Sequence, residues 1–133
     1  WIHSVDSPSL LRRLDLLASA KTARPVVLLE LNVSGESCKF GASDDTAAME
    51  LAESAANASN LDWRGLMTMA PLGAEPDTLR KIFAKLRGIR DSMETRFGAK
   101  LPELSMGMSG DFIEAIAEGA TIVRIGTAIF GKR

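Results

Sequence analysis

Two short runs near the end of the chain are the most informative about its fold: SMGMSGD at residues 105–111 and TIVRIGT at residues 121–127. Each predicts a buried strand that ends in small or hydroxyl-bearing residues, and the first leads directly into a predicted helix. Backbone N–H groups at such a junction, with Ser and Thr hydroxyls beside them, can bind a phosphate. A scaffold that brings the two strand ends together would therefore create an anion site.

Strands and helices alternate along the rest of the chain. Ser7 precedes Pro8, a preferred pair for the N-cap and first position of a helix, and leucines then recur at helical spacing as far as Ala18. Residues 76–97 give the clearest helical pattern, and Gly98 stands where a C-cap glycine belongs. The predicted strands cover residues 1–6, 26–33, 61–70, 104–108 and 121–125; further helices are predicted at residues 44–58 and 109–118, and one more turn after residue 127.

This alternation predicts a parallel sheet with right-handed crossovers, either doubly wound or a (β/α)₈ TIM barrel. A doubly wound dinucleotide fold would have a Gly-rich turn after the first strand, where this chain has Asp6-Ser7-Pro8. A barrel commonly binds phosphate in the loops after its last two strands, where the two runs lie. Because a complete barrel needs eight strands and roughly 250 residues, we expect residues 1–133 to be the C-terminal portion of a single barrel domain, its last five strands and their helices.

The composition excludes several classes of protein. A formal net charge of −1 gives no electrostatic footprint for nucleic acid or for an anionic membrane surface. The longest apolar runs are too short to span a bilayer. A single cysteine, Cys38, cannot form an internal disulfide, which favours a cytoplasmic location.

Arg124 is the strongest candidate for a functional side chain. An arginine on the inner face of a barrel strand needs an anionic or acceptor partner, because burial of an unpaired guanidinium is prohibitive. Two interpretations are open: a structural pair with a carboxylate, or a phosphate or cofactor site, which the adjacent Gly126-Thr127 favours. Ser109 is expected to be the N-cap of the following helix, a position compatible with phosphate binding.

The remaining candidates are weak. His3 is the only histidine, and Ser4 and Asp6 are too close to it in sequence to complete a catalytic triad. One histidine and one cysteine supply no cluster of metal ligands, so no metal site is expected. Cys38 lies beside Lys39, which would activate its thiol slightly, but an incidental surface cysteine is the favoured interpretation.

Five stretches, taken together and in order, resemble a known family: HSVDS at residues 3–7, NVSGE at residues 32–36 with Lys39 and Gly41, GLMTM at residues 65–69, and residues 104–111 and 123–131. The family is that of the pyridoxal phosphate homeostasis proteins, the YggS/PROSC-like group of single-domain, alanine-racemase-like barrels. The resemblance covers the whole chain. It implies a fold type III TIM barrel that holds pyridoxal 5′-phosphate at the C-terminal ends of its strands.

The resemblance also implies roles for individual residues. Arg124 would face the pyridine nitrogen, and the phosphate would be held by Gly126, Thr127, Ser105, Met108 and Ser109. Because a guanidinium only donates hydrogen bonds, a ring nitrogen opposite it stays unprotonated. The ring is then a poor electron sink, which suits a carrier or a racemase better than a transaminase.

One departure from the family concerns its Schiff-base lysine, which lies on an early strand and is expected upstream of Trp1. The lysines of this chain do not stand in the matching context: Lys21, Lys39, Lys81, Lys85, Lys100 and Lys132. The sequence therefore contains the half of the site that holds the phosphate and the ring nitrogen.

Two functions are compatible with this reading. The first is a cytoplasmic, monomeric protein without catalytic turnover that buffers pyridoxal phosphate and delivers it to apo-enzymes, with no nucleic-acid or membrane partner. The alternative is an amino-acid racemase on the same barrel. Racemases of that fold use a tyrosine base from a second domain, and this sequence has no tyrosine, which favours the first function.

Overall fold

A computed structural model of the chain describes residues 1–36 and 40–131. Its strands are β1 (Ile2–Val5), β2 (Val26–Glu30), β3 (Asp62–Met67), β4 (Glu103–Met108) and β5 (Ile122–Arg124). Its helices are α1 (Pro8–Ala18), α2 (Asp45–Ala56), α3 (Pro76–Phe97), α4 (Phe112–Ala117) and α5 (Thr127–Phe130). The predicted alternation of strands and helices is confirmed.

The five strands form one sheet in the order β1-β2-β3-β4-β5, and all four pairings are parallel. A doubly wound fold reverses the direction of strand addition at a switch point, whereas a barrel adds each strand on the same side. The fold is therefore a half-barrel of five consecutive strands with their helices, and the predicted fold class is confirmed. The carboxyl ends of all five strands lie at the same edge of this sheet.

The core lies between the sheet and its helices. Val27, Leu28 and Leu29 on β2 are all fully buried, as the continuous apolar run predicts for a strand covered on both faces. Leu11 of α1, Leu51 of α2, and Phe83 and Leu86 of α3 supply most of the helical side and are likewise inaccessible to solvent. Among the described residues, no helix is both long enough and apolar enough to cross a bilayer.

Local signals set the limits of the helices. The Ser7 side chain accepts a hydrogen bond from the Leu10 N–H at the start of α1. Asp44 does the same for Ala47 at the start of α2, with an N–O distance of 2.8 Å. Gly98 ends α3 in the left-handed conformation, with φ 61°. The caps at Ser7 and Gly98 were predicted from the sequence, because each depends on residues close together along the chain.

The helix predicted at residues 109–118 is shorter than expected, and the prediction that Ser109 is its N-cap was wrong. α4 begins at Phe112, after Asp111. The cause is a tight turn in which Asp111 Oδ1 accepts from the Met108 N–H at 2.5 Å and the Asp111 N–H donates to the Met108 carbonyl at 3.1 Å. This turn moves the start of the helix and leaves the Ser109 hydroxyl available for another contact.

Glu30, at the end of β2, is an ionisable residue within the core, and only 4% of it is exposed to solvent. Burial and the nearby charge of Asp6 raise the pKa of Glu30, and Arg124 opposes this rise. A raised pKa in the folded state means that the folded chain binds this proton more tightly than the unfolded chain. The resulting stabilisation is therefore lost as the pH rises through the folded pKa.

We expect Glu30→Gln to stabilise the protein at neutral pH, because the amide has no charge to desolvate. The gain should disappear below the ordinary glutamate pKa of 4.5, where both states carry a neutral side chain. Urea unfolding as a function of pH measures this difference, with the exposed Glu50→Gln as the matched control. A Glu30→Gln protein that is less stable than wild type at neutral pH would contradict this assignment.

Gly65 permits the close approach of β3 to β4. A Cβ atom at Gly65 would lie 1.9 Å from the Glu103 carbonyl oxygen, which is backbone and cannot move aside. By contrast, a Cβ atom at Gly88 on α3 would meet no atom within 4 Å.

Gly65→Ala is thus expected to destabilise the fold by about 1–3 kcal/mol or more through overpacking. Gly88→Ala should stabilise it by about 0.5–1 kcal/mol, because alanine has the better helix propensity. Urea denaturation of both variants gives the two free energies of unfolding. Equal effects of the two substitutions would show that the β3–β4 contact does not constrain the sheet.

Candidate functional site at the ends of strands β3 to β5

A cavity of about 580 Å³ opens at the carboxyl ends of the last strands, and we call it the β4–β5 cavity. Its lining residues are Leu72, Met108, Ser109, Gly110, Arg124, Gly126, Thr127 and Ala128. A second cavity of about 640 Å³ lies on the outer face between α1 and α2, away from the strand ends where barrels place their sites. The structure thus brings five of the six predicted site residues together around one cavity; the sixth, Ser105, is not on its wall.

Arg124 ends β5 and is held by backbone carbonyls of the adjacent strand β4 and of the residue that follows β3. Nη1 donates to the Ser105 carbonyl at 3.0 Å and to Ser105 Oγ at 2.7 Å, and Nη2 donates to the Thr68 carbonyl at 3.0 Å. The acceptor partner that the sequence required is therefore present. The alternative, a structural ion pair of Arg124 with a carboxylate, does not occur among the residues that the structure describes.

The carbonyl that receives Nη2 is itself fixed in place. Thr68, immediately after β3, is fully buried, and its hydroxyl donates to the Leu31 carbonyl at 2.7 Å. Its N–H donates to the Ser105 carbonyl at 3.1 Å. In the sequence, Thr68 was notable only as part of GLMTM, residues 65–69, which resembles the family. No local signal indicated that its backbone carbonyl would accept a hydrogen bond from Arg124.

The electrostatics keep Arg124 a hydrogen-bond donor. Burial lowers the pKa of Arg124, while the carboxylates of Asp111 and Glu30 raise it. A guanidinium stays protonated in proteins and has five N–H donors. Within residues 1–36 and 40–131, its Nε–H and one Nη2–H have no hydrogen-bond acceptor. Arg124 can therefore donate to an acceptor atom of a molecule in the cavity.

Ser109 belongs to the first of the two runs, residues 105–111, whereas Arg124 belongs to the second, residues 121–127. Its Oγ accepts from the Gly126 N–H at 3.3 Å and from the Ala128 N–H at 3.2 Å. Two backbone donors of the turn after β5 thus converge on one oxygen atom, with the Thr127 hydroxyl between them in sequence. This contact joins the two runs SMGMSGD and TIVRIGT, as their spacing at neighbouring strand ends predicted.

Ser105 and His3 form a contact that sequence reasoning missed. Ser105 on β4 is fully buried, and its Oγ lies 2.9 Å from His3 Nδ1 on β1. Burial, the Arg124 charge and the α-amino group of Trp1 lower the pKa of His3. The two residues are 102 positions apart in the chain, so no local pattern could have indicated their contact.

The remaining candidates were a metal site and the thiol of Cys38. Among the described residues there is no group of three or more His, Cys, Asp or Glu side chains that could hold a metal ion. Cys38 and Lys39 lie outside the described residues. Chemically, the lining of the β4–β5 cavity combines the fixed cationic donor Arg124 with the hydroxyls of Ser109 and Thr127 and with backbone N–H groups that follow β5.

Comparison with known proteins places this arrangement in a family. The family described as "Alanine racemase, N-terminal domain" matches residues 1–133. The pyridoxal phosphate homeostasis protein of Aquifex aeolicus is 43% identical over 132 residues, which are 99% of this chain and 58% of that protein. The chain therefore spans a little over half the length of this relative.

Solved structures agree with this assignment. PipY of Synechococcus elongatus, solved without PLP, superposes with a TM-score of 0.90 at 36% identity, over 98% of this chain and 61% of that one. The structure of PipY with PLP bound superposes with a TM-score of 0.87 at 35% identity, over 98% and 60% of the two chains. On the match over its whole length, the chain belongs to the alanine racemase N-terminal domain family.

Proposed function

We propose that this chain contains the part of a pyridoxal 5′-phosphate site that holds the ring nitrogen and the phosphate. We propose further that the protein buffers and delivers this cofactor without turnover of its own. The observation that supports this most directly is an arginine fixed by two carbonyls at the wall of a cavity that is also lined by residues with N–H and hydroxyl donors. The names of the pyridoxal phosphate homeostasis proteins and the PLP-bound PipY structure support it independently.

The donor set fits the two polar ends of pyridoxal phosphate. A pyridine nitrogen with a free lone pair is an acceptor, and the unused donors of Arg124 suit it. A phosphate needs several donors, and the N–H groups of Gly126 and Ala128 with the hydroxyls of Ser109 and Thr127 would supply them. A phosphate oxygen would take the place of Ser109 Oγ as acceptor, and the serine hydroxyl would then donate.

In this assignment Ser105 supports Arg124 and does not contact the phosphate. Its hydroxyl and its carbonyl both accept from Arg124, and its side chain is fully buried. Met108 would contribute through the turn it forms with Asp111, which sets the position of Ser109. Residues 1–133 would thereby form the C-terminal portion of one cofactor-binding barrel domain.

Arg124 favours binding of the cofactor over catalysis by it. Pyridoxal phosphate supplies an aldehyde that condenses with amines and a ring that can withdraw electrons from them. Because Arg124 cannot accept a proton, it keeps the ring nitrogen unprotonated and so weakens this withdrawal. No described residue lining the cavity is a lysine, and we therefore expect this chain to bind the cofactor without a covalent bond.

The wider role follows the same proposal. A cytoplasmic, monomeric protein that binds pyridoxal phosphate reversibly would lower the free concentration of a reactive aldehyde and pass the cofactor to apo-enzymes. The alternative is a racemase-like enzyme on the same barrel. Interconversion of L- and D-alanine by the protein in the presence of pyridoxal phosphate would favour that alternative.

Two ligands that differ only in the phosphate test the assignment of the site. Arg124→Ala should weaken both pyridoxal phosphate and pyridoxal by about tenfold or more, the value of a hydrogen bond to a charged group. Thr127→Ala should weaken pyridoxal phosphate by about three- to tenfold and leave pyridoxal unchanged, since only the phosphate is its partner. Equilibrium dialysis measures both affinities.

The exposed Arg13→Ala on α1 is the matched control for the loss of a positive charge. Its affinities for both ligands should equal those of the wild type. Unchanged binding of both ligands by Arg124→Ala would exclude the proposed site. Equal weakening of both ligands by Thr127→Ala would show that the phosphate is held elsewhere.

A further inference from the structure

Three side chains from three strands form a continuous hydrogen-bonded chain, which we call the His3–Ser105–Arg124 relay. His3 lies on β1, Ser105 on β4 and Arg124 on β5. Ser105 Oγ is 2.9 Å from His3 Nδ1 and 2.7 Å from Arg124 Nη1. Ser105 is fully buried, so its hydroxyl is shielded from bulk water.

The chemistry of Arg124 fixes the direction of one bond. Arg124 can only donate, so Ser105 Oγ accepts from it. The Ser105 hydroxyl keeps its proton and a second lone pair, so it can donate to an unprotonated His3 Nδ1 or accept from an Nδ1–H. The first arrangement needs a neutral His3 with its proton on Nε2, and it is the one on which the following proposal rests.

We propose that His3 is a positioning residue for Arg124: neutral His3 accepts a hydrogen bond from the Ser105 hydroxyl, which turns the serine lone pairs towards the guanidinium and so fixes the donor that meets the cofactor ring. Protonated His3 cannot accept this bond, and it also places a second positive charge beside Arg124. The inference rests on the proposed function in one respect, since the ligand that Arg124 meets is pyridoxal phosphate.

The charges around His3 come from several elements. Burial, Arg124 on β5 and the α-amino group of Trp1, which precedes β1, all lower the pKa of His3. The neighbouring strands carry Glu30 on β2 and Arg64 on β3, and Arg64 lies over the Trp1 ring at 5.5 Å. With a pKa below the ordinary 6.5, His3 is neutral at neutral pH and becomes protonated only as the pH falls below that value.

Affinity for pyridoxal phosphate should therefore fall in mildly acidic solution. The phosphate itself also titrates there, with a second pKa of about 6, and the wild type alone cannot separate the two effects. His3→Asn separates the two effects, because its amide oxygen can accept the hydrogen bond from Ser105 and the amide does not titrate. His3→Phe keeps a ring but removes the acceptor.

At neutral pH we expect His3→Asn to bind pyridoxal phosphate within about twofold of wild type and His3→Phe to bind it about three- to tenfold more weakly. Below pH 6.5 the wild type should lose more affinity than His3→Asn, and the excess is the contribution of His3. Wild-type affinity in His3→Phe, or parallel pH profiles of wild type and His3→Asn, would overturn the proposal.

A second readout needs no ligand. The chain has one histidine, so its ¹⁵N NMR signals are unambiguous. We expect the Nε2–H tautomer at neutral pH and a pKa below 6.5 in the wild type, and loss of the hydrogen-bonded Nδ1 shift in Ser105→Ala. An Nδ1–H tautomer, or no response to Ser105→Ala, would overturn the relay. If the wild type binds no pyridoxal phosphate at any pH, the proposed function fails, and these NMR results alone decide whether the relay exists.

Discussion

The site depends on one constraint: the guanidinium of Arg124 is partly buried, and the acceptors that hold it belong to two other parts of the sheet. These acceptors are the carbonyls of Ser105 on β4 and of Thr68 just after β3, together with the Ser105 hydroxyl. A partly buried cation that lost these acceptors would carry a desolvation cost without compensation. The relative positions of β3, β4 and β5 and the geometry of the cavity are thus fixed together.

Strand order determines which groups can take part. Sequential parallel addition from β1 to β5 places all five carboxyl ends at one edge, so residues distant in sequence meet there. Gly65 allows β3 and β4 to approach closely enough for the carbonyls of Thr68 and Ser105 to be shared by one side chain. A fixed arginine with donors left over suits the retention of a cofactor, as the proposed function requires.

Much of this was accessible from the sequence, and the remainder was not for identifiable reasons. Apolar periodicity and caps gave the five strands and the limits of α3, because these signals are local. The need of Arg124 for an acceptor followed from desolvation, but backbone carbonyls leave no trace in a sequence. The start of α4 was misplaced because the turn between Met108 and Asp111 competes with an ordinary serine N-cap. The contact between His3 and Ser105 could not be predicted, because it joins the first strand to the fourth across 102 residues of sequence.

The protonation state of the bound ring tests the central claim most directly. Pyridoxal phosphate labelled with ¹⁵N in the ring can be bound to the chain and its ring nitrogen observed by NMR near neutral pH. A donor-only partner predicts the chemical shift of an unprotonated, hydrogen-bonded pyridine nitrogen, and a change in that shift in Arg124→Ala, which has no donor at this position. A pyridinium shift in the wild type, or a shift that is the same in Arg124→Ala at saturating cofactor, would contradict the account.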